Sequence, residues 1–276
     1  MSECKENNSV FAAQQLVGNH VVSGKKAMGN GLIRSVRAEF IKLRHSSMWL
    51  AVVVIPVIGV LIGTGNYWIN ADALHGDPWF ELWTQVALFY GYFFYPLLVA
   101  VIAGYMWRVE HFEHNWNGLM TSPVSPSSVW FAKFIVLFLM ALLCQCLNIL
   151  FYWLSGNLIL HLSGQMPSYF WWWLIGGTLC VMASGAVQMY LSMRIRSFAV
   201  PVGISFGMCI AGLGCYAQGW WLFPNTLAII GINAQHEGLP ALPEMAKALG
   251  GTVFWVILIS ILGILYLKKS DIKSAD

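Results

Sequence analysis

The sequence predicts an all-α membrane protein with six transmembrane helices, and three observations carry that reading. The 276 residues are 58% hydrophobic and 10% charged, with a mean hydropathy of +0.65. A soluble domain carries about 25% charged residues, so this chain could not cover a globule with a polar surface. No Asp, Glu, Lys or Arg occurs from Phe134 to Met193, far more than the roughly 20 residues of one bilayer crossing. A long uncharged run broken by a polar turn reads as two membrane helices. The basic residues, finally, segregate to one side of the spans.

The spans are expected at about 48–68, 82–107, 133–156, 169–193, 198–217 and 248–267, each bounded by polar or charged residues such as Arg44, Asp72, Arg108, Lys133 and Lys268. With a cytoplasmic N-terminus, fourteen of the fifteen Lys and Arg fall inside and only Lys247 outside. By the positive-inside rule both termini are therefore predicted in the cytoplasm. Met1 to Asn30 is polar and mixed. It reads as a mobile cytoplasmic tail rather than a signal peptide, because the first apolar run begins near Met48. Residues 31–276 form the membrane domain.

Ahead of the first span, Leu32, Val36, Phe40 and Leu43 recur at helical spacing while Arg34, Arg37, Lys42 and Arg44 fill other faces. That pattern predicts an amphipathic helix at the lipid interface, its basic side chains toward anionic headgroups. Trp and Tyr cluster at Tyr67–Trp68, Trp79, Trp83, Tyr169–Trp173 and Trp220–Trp221; they read as an anchoring belt at headgroup level. Gly59 and Gly63 in the first span, and Gly203 and Gly207 in the fifth, are candidates for close helix packing, within the chain or between subunits. Trp220 to Ile232 is apolar but too short to cross and return, so a re-entrant or an interfacial helix is expected there.

Catalytic chemistry is not evident. Five of the six cysteines lie in apolar spans, where the thiol packs as a small hydrophobe, and Cys144 and Cys146 stand two apart, facing different directions on a helix. Glu110-His111-Phe112-Glu113-His114 matches neither HExxH nor HxxEH. Gln145, Asn148, Ser184 and Gln188 are polar groups within spans, of the kind that joins helices. No GxxxxGK[ST] loop is present, so if ATP drives this protein another chain must bind it. The site expectations are accordingly no catalytic residue, no cofactor and no metal on this chain, and nothing points to nucleic acid.

The informative segment joins spans two and three. Its acidic, polar first half reads as a helix protruding into the cytosol, which Leu119-Met120-Thr121-Ser122-Pro123 ends; Ser125 to Ser128 can cap the helix that re-enters the membrane. Here the sequence resembles permease subunits of type-2 ABC exporters. The shared features are an acid at Glu113, the element Met120 to Ser125, and Lys133 ten residues beyond Pro123. The stretches AEFIKLRHSSMWLAVVVIP (Ala38 to Pro56) and LFYGYFFYPLLVAVIAGYMWRVEH (Leu88 to His111) resemble more closely the permeases of lantibiotic and bacteriocin self-protection exporters. The pattern departs at Glu113-His114-Asn115-Trp116-Asn117-Gly118, where many of these permeases read Glu-x-Gly-Thr, so the coupling carboxylate stays unassigned.

What the resemblance implies is a six-helix permease paired with a second permease, itself or a homologue, and with ATP-binding cassette subunits. The segment carrying Glu110, Glu113, Leu119, Met120, Pro123, Ser125 and Lys133 would be the element that couples to the ATPase. The substrate would be an antimicrobial peptide or similar amphiphile, drawn from membrane lipid in a bacterial cell membrane. The competing classes are a membrane-embedded enzyme of lipid or peptide processing and a non-transport sensor or scaffold subunit.

Overall fold

The computed structural model describes residues 31–44, 46–111 and 124–273. Helix α1 covers residues 31–43. The other helices are α2 (Met48–Ile69), α3 (Pro78–Val86), α4 (Tyr95–His111), α5 (Pro126–Leu154), α6 (Phe170–Arg194), α7 (Ala199–Ala217), α8 (Pro224–Ile232) and α9 (Leu242–Lys273). A π-helical stretch, Ala87–Phe94, joins α3 to α4, and another, Ser155–Ile159, extends α5. Six helical runs are long and apolar enough to cross a membrane: Met48–Ile69, Pro78–His111, Pro126–Ile159, Phe170–Arg194, Ala199–Ala217 and Leu242–Lys269. The described residues are all-helical with no strand, as a membrane interior requires of every backbone polar group outside a closed barrel.

Helix α6 is the centre of the bundle and packs against α4, α5, α8 and α9, while α2 lies on α3 and α5. Short-range signals set the helix starts. Asp77 caps α3 by accepting the Phe80 amide at 2.9 Å, with Pro78 in the first turn. Ser125 caps α5 through the Ser128 amide at 3.2 Å, with Pro126 after it. Both follow the rule that an N-cap oxygen satisfies an orphan amide and proline tolerates the first helical position.

Close approach explains two of the glycines. A Cβ on Gly63 would lie 2.5 Å from Val86 Cα, and one on Gly59 would lie 2.9 Å from Tyr90 Cβ. Only glycine lets α2 sit this near the second span. At Gly203 and Gly207 the added carbon would meet nothing within 4 Å, so that ridge packs against no helix among the described residues. Helix α8 is almost wholly buried. It re-enters the bundle from the end where α7 finishes, with Gly231 pressed on Cys180 and Gly212 of α7 pressed on Asn225.

The aromatic belt needs correcting. Trp68 and Trp220 are exposed, but Trp79, Trp83, Trp172 and Trp173 are buried. Trp83 stacks on Trp173 with centroids 4.3 Å apart and planes 8° from parallel, and both rings meet Tyr152 edge-on. Tyr152 donates to the Trp79 carbonyl at 2.6 Å, and Trp83 Nε1 to the Ile232 carbonyl at 3.2 Å. These rings form an internal wedge among four helices. Offset and edge-to-face pairs are each worth about 0.5–1.5 kcal/mol beyond the area they cover.

Polar groups inside the spans join helices in most cases. Gln145 donates to the Trp173 carbonyl at 2.8 Å, Ser184 to Asn225 Oδ1 at 3.0 Å, and Tyr95 to the Ala141 carbonyl at 3.0 Å. Gln188 reaches only the Met208 sulfur, at 3.7 Å, and the Asn148 amide finds no partner among the described residues. Cys144 is buried and Cys146 exposed, and the five described cysteines are free thiols.

Candidate functional site

Four charged side chains from three helices converge at the end of the bundle opposite α8. Glu39 and Lys42 stand three apart on α1, with Leu43 buried one turn beyond Glu39. Glu110 closes the last turn of α4. Lys133 lies two turns inside α5, fully buried, rather than flanking a span that begins after it.

The geometry leaves no charge unmatched. Lys133 Nζ donates to Glu39 Oε2 at 2.7 Å, to Glu110 Oε1 at 2.7 Å and to the Met106 carbonyl at 3.2 Å, using all three of its donors. The ammonium also stands 5.0 Å from the Trp107 ring centroid, within cation–π range. Lys42 bridges the same two carboxylates, bonding Glu39 Oε1 at 3.0 Å and Glu110 Oε1. Two ammonium and two carboxylate groups form a neutral set. Only Lys42 keeps substantial contact with solvent, at 33% side-chain exposure. Burial pulls its pKa down, but the Glu39 and Glu110 carboxylates more than offset that and hold it above the ordinary lysine value.

Helix α4 is the hub of this end. Besides Lys42 and Lys133, its last turns meet α6 through His111 Nε2 and the Ser192 carbonyl at 3.1 Å, and the start of α7 through Arg108 over Phe198 at 5.6 Å. Helix α9 finishes at the same end, with Arg194 over Tyr266 and Gly263 against Trp130. A displacement of the α4 terminus would therefore reach α1, α5, α6 and α7 together. Between α1, α4 and α5 the linkage is stiff, because separating Lys133 from Glu39 and Glu110 strands a buried charge.

The residues expected to couple to an ATPase divide accordingly. Glu110 and Lys133 meet in the ionic cluster, and Ser125 is the cap that starts the helix carrying Lys133. Glu113, Leu119, Met120 and Pro123 lie outside the described residues. Glu39 was not singled out from sequence, and Lys42, read as facing lipid headgroups, instead turns inward to the carboxylates. A signal for Glu39 existed: Leu32, Val36, Glu39 and Leu43 share one helical stripe, so the acid sits on the apolar face, while Phe40 is 37% exposed. Among the described residues no group of three His, Cys, Asp or Glu could hold a metal ion.

A family model of ABC-2 family transporter proteins matches residues 35–212, from inside α1 to the last turns of α7. The chain belongs to this family. It is a multi-pass membrane permease component of an ABC transporter, a class whose transmembrane subunit works with an ABC ATPase. No curated protein matches the chain.

Proposed function

We propose that this chain is the permease of an ATP-driven exporter in a bacterial cell membrane, with both termini in the cytoplasm, and that it expels an antimicrobial peptide of the lantibiotic or bacteriocin kind, or a similar amphiphile, for self-protection. It pairs with a second permease, itself or a homologue, and with ATP-binding cassette subunits that carry the nucleotide and magnesium. The observation that carries this reading is the buried ionic cluster of Glu39, Lys42, Glu110 and Lys133, which locks α1 and α5 to the end of α4.

The segment that follows His111 and ends at Pro123 docks on the ATPase. Nucleotide-driven motion there enters the membrane through α4, because the ions make α1, α4 and α5 move as one body. A spanning interior that holds no unpaired charge among the described residues suits an amphiphile that never leaves the lipid. Gly203 and Gly207, open to their surroundings in a single chain, leave a small-residue face for the second permease.

The test is co-expression with a candidate ABC ATPase partner, followed by detergent purification and measurement of co-elution and ATP turnover. The wild type should retain the ATPase, and the amphiphile should stimulate turnover. Glu110/Glu113→Ala should weaken docking or abolish that stimulation. A wild-type permease that retains no ATPase would end the exporter reading and leave the family architecture standing.

A further inference from the structure

At the end of the bundle opposite the ionic cluster, a cavity of about 190 Å³ opens between the end of α7, the end of α8 and the first turns of α9. Its frame is fixed. Asn233 terminates α8 in the left-handed conformation (φ 51°), and its amide donates to the carbonyls of His236 at 3.2 Å and Gly238 at 2.8 Å. Gln235 ties the same loop to the second span through the Tyr92 hydroxyl at 2.6 Å. Trp255 of α9 holds the Leu222 carbonyl at 2.7 Å on the other wall.

Two opposite charges line this cavity. Glu244 and Lys247 stand three apart on α9, one face of one helix, and among the described residues neither forms an ion pair. Glu244 lies within electrostatic reach of the Tyr216 phenol, and Trp221 supplies a second ring to the lining. Close in sequence to lining residues Trp221 and Glu244, Trp220, Leu222 and Leu242 are exposed. The volume is below the roughly 300–1,000 Å³ of pockets that enclose a whole drug-sized ligand, so what enters is the head of a larger amphiphile.

We propose that this cavity binds the headgroup of a zwitterionic, ammonium-bearing phospholipid of the outer leaflet, the ammonium between Glu244 and the rings of Tyr216 and Trp221, the phosphate toward Lys247, and the acyl chains over Trp220, Leu222 and Leu242. The charge pattern selects the zwitterion. A purely cationic head would face Lys247, and a purely anionic head would face Glu244. A head carrying both charges satisfies both residues, and an ammonium over aromatic faces gains cation–π attraction. The outer-leaflet location rests on the orientation proposed above; the ligand chemistry does not.

The full-length permease, purified in detergent, would be exposed to equal amounts of phosphatidylethanolamine and phosphatidylglycerol, and retained lipid counted by native mass spectrometry. The wild type should prefer phosphatidylethanolamine about tenfold, and Glu244→Gln should erase the preference while eluting as a folded protein. Equal retention by the wild type, or an unchanged preference in Glu244→Gln, overturns the proposal. So does a cationic peptide that the wild type holds better than either lipid and Glu244→Gln releases. Labelling of Lys247→Cys on intact cells by a membrane-impermeant maleimide, above wild-type background, tests the orientation by itself. Failure there removes the outer leaflet from the proposal and the cytoplasmic termini from the exporter reading, whereas loss of ATPase co-elution leaves the lipid preference untouched.

Discussion

The two ends of this bundle are held together by opposite kinds of chemistry. At one end four charged side chains close on each other between α1, α4 and α5. At the other, Trp79, Trp83, Tyr152 and Trp173 interlock between α3, α5 and α6 with hydrogen bonds to carbonyls but no ion. The difference lies in how each contact fails. Aromatic packing weakens gradually as rings slide, because dispersion is summed over many small contacts. A buried ion pair has no intermediate state, since losing one partner leaves the other desolvated and unmatched. The coupling role proposed for the ionic end calls for the second kind of contact, one that carries motion as a unit.

The sharpest way to break this contrast is Lys133→Met. It removes the ion at the centre of the cluster and leaves one buried carboxylate without a counter-charge, an effect of about 3–5 kcal/mol. The purified variant should show a markedly lower unfolding midpoint in detergent than the wild type. Adding Glu110→Leu should restore much of it, because Lys42 and Glu39 then remain as a neutral pair. A Lys133→Met protein as stable as the wild type would mean that the cluster does not hold α1 and α5 to α4.

Trp173→Ala is the matching break at the aromatic end. It removes the ring stacked on Trp83 and edge-on to Tyr152 and Tyr169. Large-to-small changes of this kind lose about 3–5 kcal/mol in soluble cores. Here the loss should sit near 3 kcal/mol, because lipid tails are as apolar as the side chain and packing rather than transfer supplies the stability. The two variants should differ in partner dependence. ATP turnover with the ATPase bound should be disturbed by Lys133→Met and little changed per folded molecule by Trp173→Ala, and equal disturbance would erase the distinction between the ends.

Much of this architecture was legible in the sequence because membrane helices are written in local composition. Hydropathy located all six spans, the Ser125 to Ser128 stretch offered the cap that starts α5, and Gly59 with Gly63 marked a close approach. What was not legible depends on which way a helix turns. The periodicity of α1 was right, yet Phe40 points outward and Glu39 inward, because the partner deciding the matter is Lys133, ninety-four positions away. Lys133 itself looked like a boundary marker. A lysine at the edge of an apolar run and a lysine neutralised inside one have the same local sequence. The tryptophans failed similarly: Trp171 is exposed and Trp172 and Trp173 are buried, and adjacent letters cannot say which side of α6 faces α5.

Lys42 sharpens the comparison with the smallest expected effect. It is the cluster's contact with solvent, so its pairing is screened and worth well under the buried pairs, about 0.5 kcal/mol. Its pKa is raised in the folded protein by Glu39 and Glu110, against the opposing effect of burial. A raised lysine pKa means that the stabilisation is fully present below the ordinary value of 10.5 and is lost only as pH climbs through the higher folded value. The stability difference between wild type and Lys42→Met should therefore be flat from about pH 6 to pH 9. Unfolding midpoints of the two proteins across that range test it. A difference that grew or shrank there would contradict the raised lysine pKa and the pairing with Glu39 and Glu110 that causes it.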